Sequence, residues 1–219
     1  MGKMASRGQI ISLSGVDGSG KSAIIEELRA MLTARGQRSR YVWLRYNHYT
    51  SKVVLGFCRL AGLTRYEKKA GVRVGYHDFE KSRIVSWLFV TTTYLDTLLA
   101  SLVKVYVPSL FGSSVTLCDR WVVDIMVDLE VDTGLRFDRD TWLGRLFWGL
   151  VPARCRCLVI DRDEGKLKAA RQENAMDANF DERVALYHRH AADPRVTALC
   201  NDGSVAEAAA RICMLAGFG

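Results

Sequence analysis

The residues whose types and spacing carry the most chemistry lie near the start of the chain, in the run Gly15-Val16-Asp17-Gly18-Ser19-Gly20-Lys21-Ser22. Glycine, four residues, then Gly-Lys-Ser is the pattern of a loop that wraps a phosphate. Its glycines let backbone N–H groups turn inward around the anion, and a helix N-terminus behind them adds a favourable dipole. In that chemistry Lys21 reaches the β- and γ-phosphates and the Ser22 hydroxyl holds Mg²⁺. A tight glycine turn with no ligand would not need Lys-Ser at the start of the helix.

A second group sits about a hundred residues on. Asp119 and Arg120 follow the apolar run Val115 to Cys118, and Asp161 follows the apolar run Cys155 to Ile160. If these runs are strands of a parallel sheet, both acids lie at its carboxyl edge, where ligands bind. A carboxylate there can hold a Mg²⁺ water, and Arg120 can neutralise a phosphoryl group in transfer. By position alone Asp119 and Asp161 compete for the metal, and either could cap the helix that follows.

The elements that must position these residues can be read from periodicity. Gln9 to Ser14, Tyr41 to Arg45, Val115 to Cys118, Cys155 to Ile160 and Val196 to Cys200 read as strands. Between the first two, Ile24, Ile25, Leu28, Met31 and Leu32 mark the inner stripe of a helix from about Lys21 to Ala34, with Gly36 as its stop. From Tyr49 to Arg83 four glycines interrupt a weak periodicity, so short helices and loops are expected there rather than sheet. A long helix should follow to near Pro108, and Ser204-Val205-Ala206-Glu207 has the form of a capping box opening the last helix. Alternating strands and helices imply an α/β fold: a three-layer α/β/α arrangement with a five-stranded parallel sheet, of P-loop NTPase type. Residues 1–219 are expected to form one domain, with a substrate-side helical insertion at about 49–83 and a short lid at about 171–182.

Composition narrows the function. The 219 residues are 49% apolar and 25% charged, which excludes a disordered chain and a small disulfide scaffold. A net charge of +7 suits an anionic partner such as a phosphate compound. No block of five or six like charges marks a nucleic-acid arm, so no nucleic-acid partner is expected. The six cysteines are spread through apolar segments, as free thiols are in a reducing compartment, and show no zinc spacing. The apolar stretch from Ile84 to Val107 carries Asp96, Lys104 and the polar run Thr91-Thr92-Thr93, and its spacing is that of a helix face buried in protein, so no membrane partner is expected. No secretory pattern follows the first nine residues, which points to the cytoplasm.

The run Leu13 to Ser22, the Cys118-Asp119-Arg120-Trp121 segment and the strand, acid and helix leading to Arg171 together resemble thymidylate kinases, and in particular the branch described as thymidylate kinase-like. The resemblance extends loosely over nearly the whole chain. It implies transfer of the γ-phosphoryl group of ATP, with Mg²⁺, to a nucleoside monophosphate, with thymidylate the first candidate. By the same resemblance Gly15 to Ser22 and Arg171 bind ATP, and Ser22 and Asp119 hold the metal. Lys21, Asp119, Arg120 and Asp17 are the catalytic set, and Arg45, Phe89 and Arg120 bind the acceptor. Arg183 and Tyr187 stand beside the lid and are equally well read as surface or packing residues. The family commonly forms homodimers, for which the apolar stripe from Trp87 to Tyr106 could serve.

The chain departs from the family at four places, one of them Gly18, which stands where some members carry a P-loop Arg. Arg45 is followed by Tyr46-Asn47-His48 instead of an acid-and-proline turn. Thr93 stands where the base-recognising Arg is expected, and the Arg171 to Phe180 segment has only one basic residue. These departures leave two further readings: the same transfer to another small acceptor (a nucleoside, a sugar or another metabolite), or a nucleotide-binding regulatory module without catalysis.

Overall fold

The structure, a computed structural model, describes residues 8–45, 47–69, 72–112 and 114–218. In chain order the elements are β1 (Ile10–Ser14), α1 (Lys21–Ala34), β2 (Ser39–Trp43), α2 (Ser51–Leu60), β3 (Thr64–Lys69), β4 (Val72–His77), α3 (Arg83–Ser101) and α4 (Val107–Phe111). They continue with β5 (Val115–Asp119), α5 (Val122–Thr133), α6 (Trp142–Trp148), β6 (Cys155–Asp161), α7 (Glu164–Ala170), α8 (Gln172–Met176), α9 (Phe180–Ala191), β7 (Val196–Cys200) and α10 (Val205–Leu215).

Five strands form one sheet in the order β2-β5-β1-β6-β7, and every neighbouring pair is parallel. Side chains alternate across such a sheet, so β1 serves two cores. Ile11 and Leu13 face a layer built from α1 and α10 with Ile24, Leu28 and Ile212. Ile10 faces the opposite layer, where Phe89, Trp121, Met126, Phe147 and Tyr187 meet. Helices therefore cover both faces of the five-stranded parallel sheet. The strands fall within two residues of their expected places, and the capping box forms, with Ser204 Oγ accepting from Glu207 N–H at 3.2 Å.

Two elements differ from expectation. Where the sequence suggested helices and loops without sheet, β3 and β4 pair antiparallel from Thr64↔His77 to Lys69↔Val72. The glycines read there as breakers conceal the period-two alternation of Val72, Val74 and Tyr76, which is the strand signal. The second difference lies at Pro108, which does not end the long helix. A π-helical turn at Leu102–Tyr106 precedes it and the helix runs on to Phe111. Proline has no N–H for the carbonyl four residues back, and that carbonyl, on Lys104, instead accepts from Arg40 Nη2 at 2.5 Å.

From Arg83 to Phe111 the chain has a helical length and composition sufficient to cross a membrane. Its inner face is tied into the protein. The Asp96 carboxylate, 3% exposed, accepts from the backbone N–H groups of Tyr49, Thr50 and Ser51 and from the hydroxyls of Thr50 and Ser51, so α3 caps the start of α2. Burial alone would raise that carboxyl, and these hydrogen bonds outweigh it and hold it below the usual range. Ser101 Oγ accepts from Trp121 Nε1 at 2.9 Å.

Candidate active site

The glycine-rich loop joins β1 to α1 as the sequence requires. Gly15, Gly18 and Gly20 have φ of 141°, 89° and 91°, a region costly for any residue with a Cβ. A Cβ on Gly15 would also collide with the Ile160 carbonyl oxygen, and one on Gly20 with the Asn201 amide. Glycine is thus required twice over at both places, by conformation and by space.

Polar side chains from distant elements hold the loop's carbonyls outward. Asn174 Nδ2 donates to Asp17 O at 2.7 Å, Arg162 Nη1 to Gly18 O at 3.0 Å, and Asn201 Nδ2 to Ser19 O at 2.7 Å. With three successive carbonyls anchored, the loop's shape is set before any ligand arrives. Inside the loop, Lys21 Nζ donates to Gly15 O and Val16 O, both at 2.7 Å, and to Ser19 Oγ at 3.1 Å. Burial, with Arg120 nearby, brings the Lys21 ammonium down to about 7, against the pull of Asp124, Asp17 and Asp119.

Asp119 ends β5 with its side chain buried. Oδ2 accepts from Tyr41 OH at 3.0 Å, while Oδ1 is buried with no protein partner. The same contact, together with burial, pushes the Tyr41 phenol up to about 12, so it stays a donor. Asp161 is engaged differently: half exposed at the end of β6, it meets His188 Nε2 at 3.1 Å. Of the two acids only Asp119 offers an orphaned oxygen, and with the exposed Ser22 hydroxyl it gives the all-oxygen donor set that Mg²⁺ takes. The loop fits a triphosphate tail and the Ser22 and Asp119 oxygens fit the metal.

Arg120 has φ of 61°, rare for a residue with a side chain, and this turns its guanidinium back toward the loop. It pairs with Asp17 and with Asp124, the latter at 3.3 Å. Arg45, just past β2, bonds Asp17 at 3.2 Å and reaches both oxygens of Asp128 at 2.8 Å. Burial would raise Asp17, but the guanidiniums of Arg120 and Arg45 and the ammonium of Lys21 hold it below the usual carboxylate range.

Two cavities meet at Arg45 and Arg183. One, of about 170 Å³, lies against the loop between Val16, Asp17, Arg120, Asn174 and Tyr187. The other, of about 140 Å³, runs under α3 past Phe89, Thr93, His48, Asp128 and Asp132. Phe89 is buried, with its ring 4.8 Å from Phe79 in an edge-on contact, so it forms a firm wall. Thr93 Oγ1 is buried without a hydrogen-bond partner. Arg171 is exposed between α7 and α8, and its Cγ lies 3.5 Å from where a Cβ on Gly18 would stand. The structure thus brings together every candidate from Gly15 to Ser22 with Arg45, Asp119, Arg120 and Arg171, and sets Phe89 in the adjoining cavity. Tyr46, part of the unusual turn after Arg45, lies outside the described residues.

Several members of this constellation escaped the sequence reading. Asp124, fully buried, accepts from Gly15 N–H, Trp121 N–H, Arg120 and, at 2.8 Å, Tyr187 OH. Asp128 takes Arg45 and, at 2.5 Å, Arg183. Burial would raise Asp128, and the two guanidiniums bring it down to about 2. Asp132, one turn further on, has no such partner, and burial lifts it to about 8 despite Arg183. Carboxylates at i, i+4 and i+8 of a largely apolar helix, which carries Glu130 as well, put three acids on one inward-facing stripe, and that spacing was the available signal. Arg183 and Tyr187, open between site and surface in the sequence, are both in the constellation. Asn174 and Asn201 had no signal beyond being polar residues near strand or helix ends.

No protein-family model matches the chain, and no curated protein sequence matches it.

Proposed function

We propose that this chain is an enzyme of the P-loop NTPase type that transfers a phosphoryl group from ATP, with Mg²⁺, to a nucleoside monophosphate, thymidylate being the first acceptor to try. The observation that carries the reading is the pair of cavities meeting at Arg45 and Arg183, one against the glycine loop and the other against Phe89. A donor and an acceptor lying in them would face each other across Asp17, Arg45 and Arg120.

Each residue's work follows from its chemistry. The loop's backbone N–H groups and Lys21 bind the phosphate tail, and Arg120 and Arg45 supply positive charge where the group in transfer is most anionic. Ser22 and Asp119 would hold Mg²⁺, which supplies charge neutralisation on the phosphate oxygens. An oxygen of the acceptor phosphate bonds to the γ-phosphorus as the bond to the β–γ bridging oxygen breaks. That nucleophile is already ionised, so no general base is needed. Asp17, flanked by two guanidiniums, therefore serves to hold Arg45 and Arg120 at the junction. The reaction relies on positioning more than on covalent help. A substrate pair of ATP and a nucleotide is in keeping with work in the cytoplasm.

The test is ADP release from Mg²⁺-ATP across a panel of nucleoside monophosphates, with Lys21→Ala as the blank. Release that requires a nucleotide acceptor and vanishes in the variant is the expected result. Release equal to that of the blank with every nucleotide sinks the assignment.

A second reading is favoured by the walls of the 140 Å³ cavity. Its Phe89 end carries Thr93 and its other carboxyls are Asp96, Asp128 and Asp132, a lining that also suits hydroxyl groups. A small alcohol would then replace the nucleotide, with its hydroxyl at the junction beside Arg45 and its proton leaving to Asp17 on the far side of that guanidinium. Turnover with nucleosides or sugars, and none with monophosphates, selects this reading.

A further inference from the structure

The outer surface of α2, α3, α4 and α6 is apolar to a degree rare in a soluble monomer. On α2, Val53, Phe57 and Leu60 recur at i, i+4 and i+7 and are 62%, 69% and 86% exposed. On α3 the exposed positions are Ile84, Leu88, Leu95 and Leu99, and the helix continues through the π turn to exposed Leu110 and Phe111 on α4. Trp142 of α6 is exposed too and stacks on Trp87 of α3 with ring centroids 5.5 Å apart, which joins α6 to the same surface.

The charges on these four helices are of one sign. The exposed ones are Lys52 and Arg59 on α2, Arg83 at the start of α3 and Arg145 on α6. The single carboxylate they carry is Asp96, and it is buried in the cap of α2. This combination selects among occupants. A second copy docked face to face would bring only the same four helices to meet these cations, and those helices offer no exposed carboxylate. An anionic surface meets them all with the opposite charge. Apolar and aromatic side chains on one helical face with Lys and Arg at its margin are the pattern of helices that lie in the headgroup region of a bilayer.

We propose that this face binds the surface of a membrane containing anionic phospholipid, with α2 and α3 lying flat upon it. This goes beyond the catalytic reading, does not depend on it, and reverses the expectation drawn from the sequence. The helix from Arg83 to Phe111 rests on the bilayer and does not cross it, since its other face is committed to Phe89, Val90, Asp96 and Thr97 in the protein interior.

The experiment is co-sedimentation of the full chain with vesicles of phosphatidylcholine plus phosphatidylglycerol, and separately with vesicles of phosphatidylcholine alone. The expected result is association with the anionic vesicles that weakens as salt is raised. The double variant Lys52→Glu, Arg59→Glu should lose at least about thirtyfold in partitioning. Phe57→Ser with Leu60→Ser, or Phe111→Ser alone, should also reduce it while leaving thermal unfolding unchanged, because these side chains are exposed. The proposal is overturned by failure to bind either vesicle, by binding that neither set of substitutions changes, or by a stable dimer in sedimentation equilibrium that Phe57→Ser with Leu60→Ser dissociates.

Discussion

The glycine loop and the acceptor side of the cleft are built on opposite plans. The loop is local: eight consecutive residues, a lysine folded back among them, and glycines where space and φ leave no alternative. The acceptor side is assembled from afar, with Arg45 after β2, Asp124 and Asp128 on α5, and Arg183 and Tyr187 on α9 joined by buried charge pairs. Removing a functional group from the loop should cost turnover and spare the fold. Removing one from the charged cluster should cost the fold first, because the buried ions left behind lose part of their counter-charge.

The strongest way to break this comparison is Asp128→Leu. It takes the shared carboxylate from Arg45 and Arg183, leaving Arg45 to Asp17 and Arg183 to Asp177, and a loss of up to about 3 to 5 kcal/mol in urea unfolding is expected. A stability within error of the parent chain would show that the cluster is not structural. Next comes Lys21→Ala, for which ADP release should fall about 10²- to 10³-fold while circular dichroism stays that of the parent chain. An unfolded variant here would erase the contrast from the other side.

Asn201→Leu sharpens the comparison, since it tests a remote residue that serves the local loop. It should cost about 1 to 3 kcal/mol of stability by leaving the Ser19 carbonyl unpaired, and ATP affinity measured by calorimetry should fall with it.

An effect of another kind, read against pH, concerns Asp132, and its sign follows from linkage. Its folded value of about 8 lies above the ordinary 3.8, so the folded state holds a proton that the unfolded chain has released. Stability therefore falls as pH rises from about 4 toward 8. Asp132→Asn removes that penalty, so its melting temperature should exceed the parent's at pH 8, with the difference shrinking toward pH 4. A constant difference across that range would mean that Asp132 titrates normally.

The same contrast explains what was legible in the sequence. The loop could be read because its chemistry is contiguous, and Asp119-Arg120 because a strand end fixes where they point. The five strands and α1 followed from apolar runs bounded by glycine and polar residues. The partners of the loop could not be read this way. Asn174, Arg162 and Asn201 are single polar residues more than a hundred positions away, and only the closing of the sheet, with β6 beside β1 and β7 beside β6, brings them to the loop. The acids of α5 were legible in principle, since an apolar helix with carboxylates every fourth residue must find cations for most of them. Glycine and proline usually punctuate a chain, and that hides the β3–β4 hairpin and the helix running through Pro108. Pairing in one case and a side-chain donor in the other let the elements continue.

The cap that Asp96 places on α2 has a mechanical consequence. One carboxylate on α3 receives five hydrogen bonds from Tyr49, Thr50 and Ser51, so α2 cannot tilt away from α3 without breaking them together. The same two helices carry Phe57 and Leu95 outward and Leu55 and Phe89 toward the cavity. A load applied to the outside of this pair is therefore transmitted to the inner wall as a rigid displacement. If occupancy of the outer face changes what the cavity binds, then by thermodynamic reciprocity occupancy of the cavity changes the affinity of the outer face by the same factor.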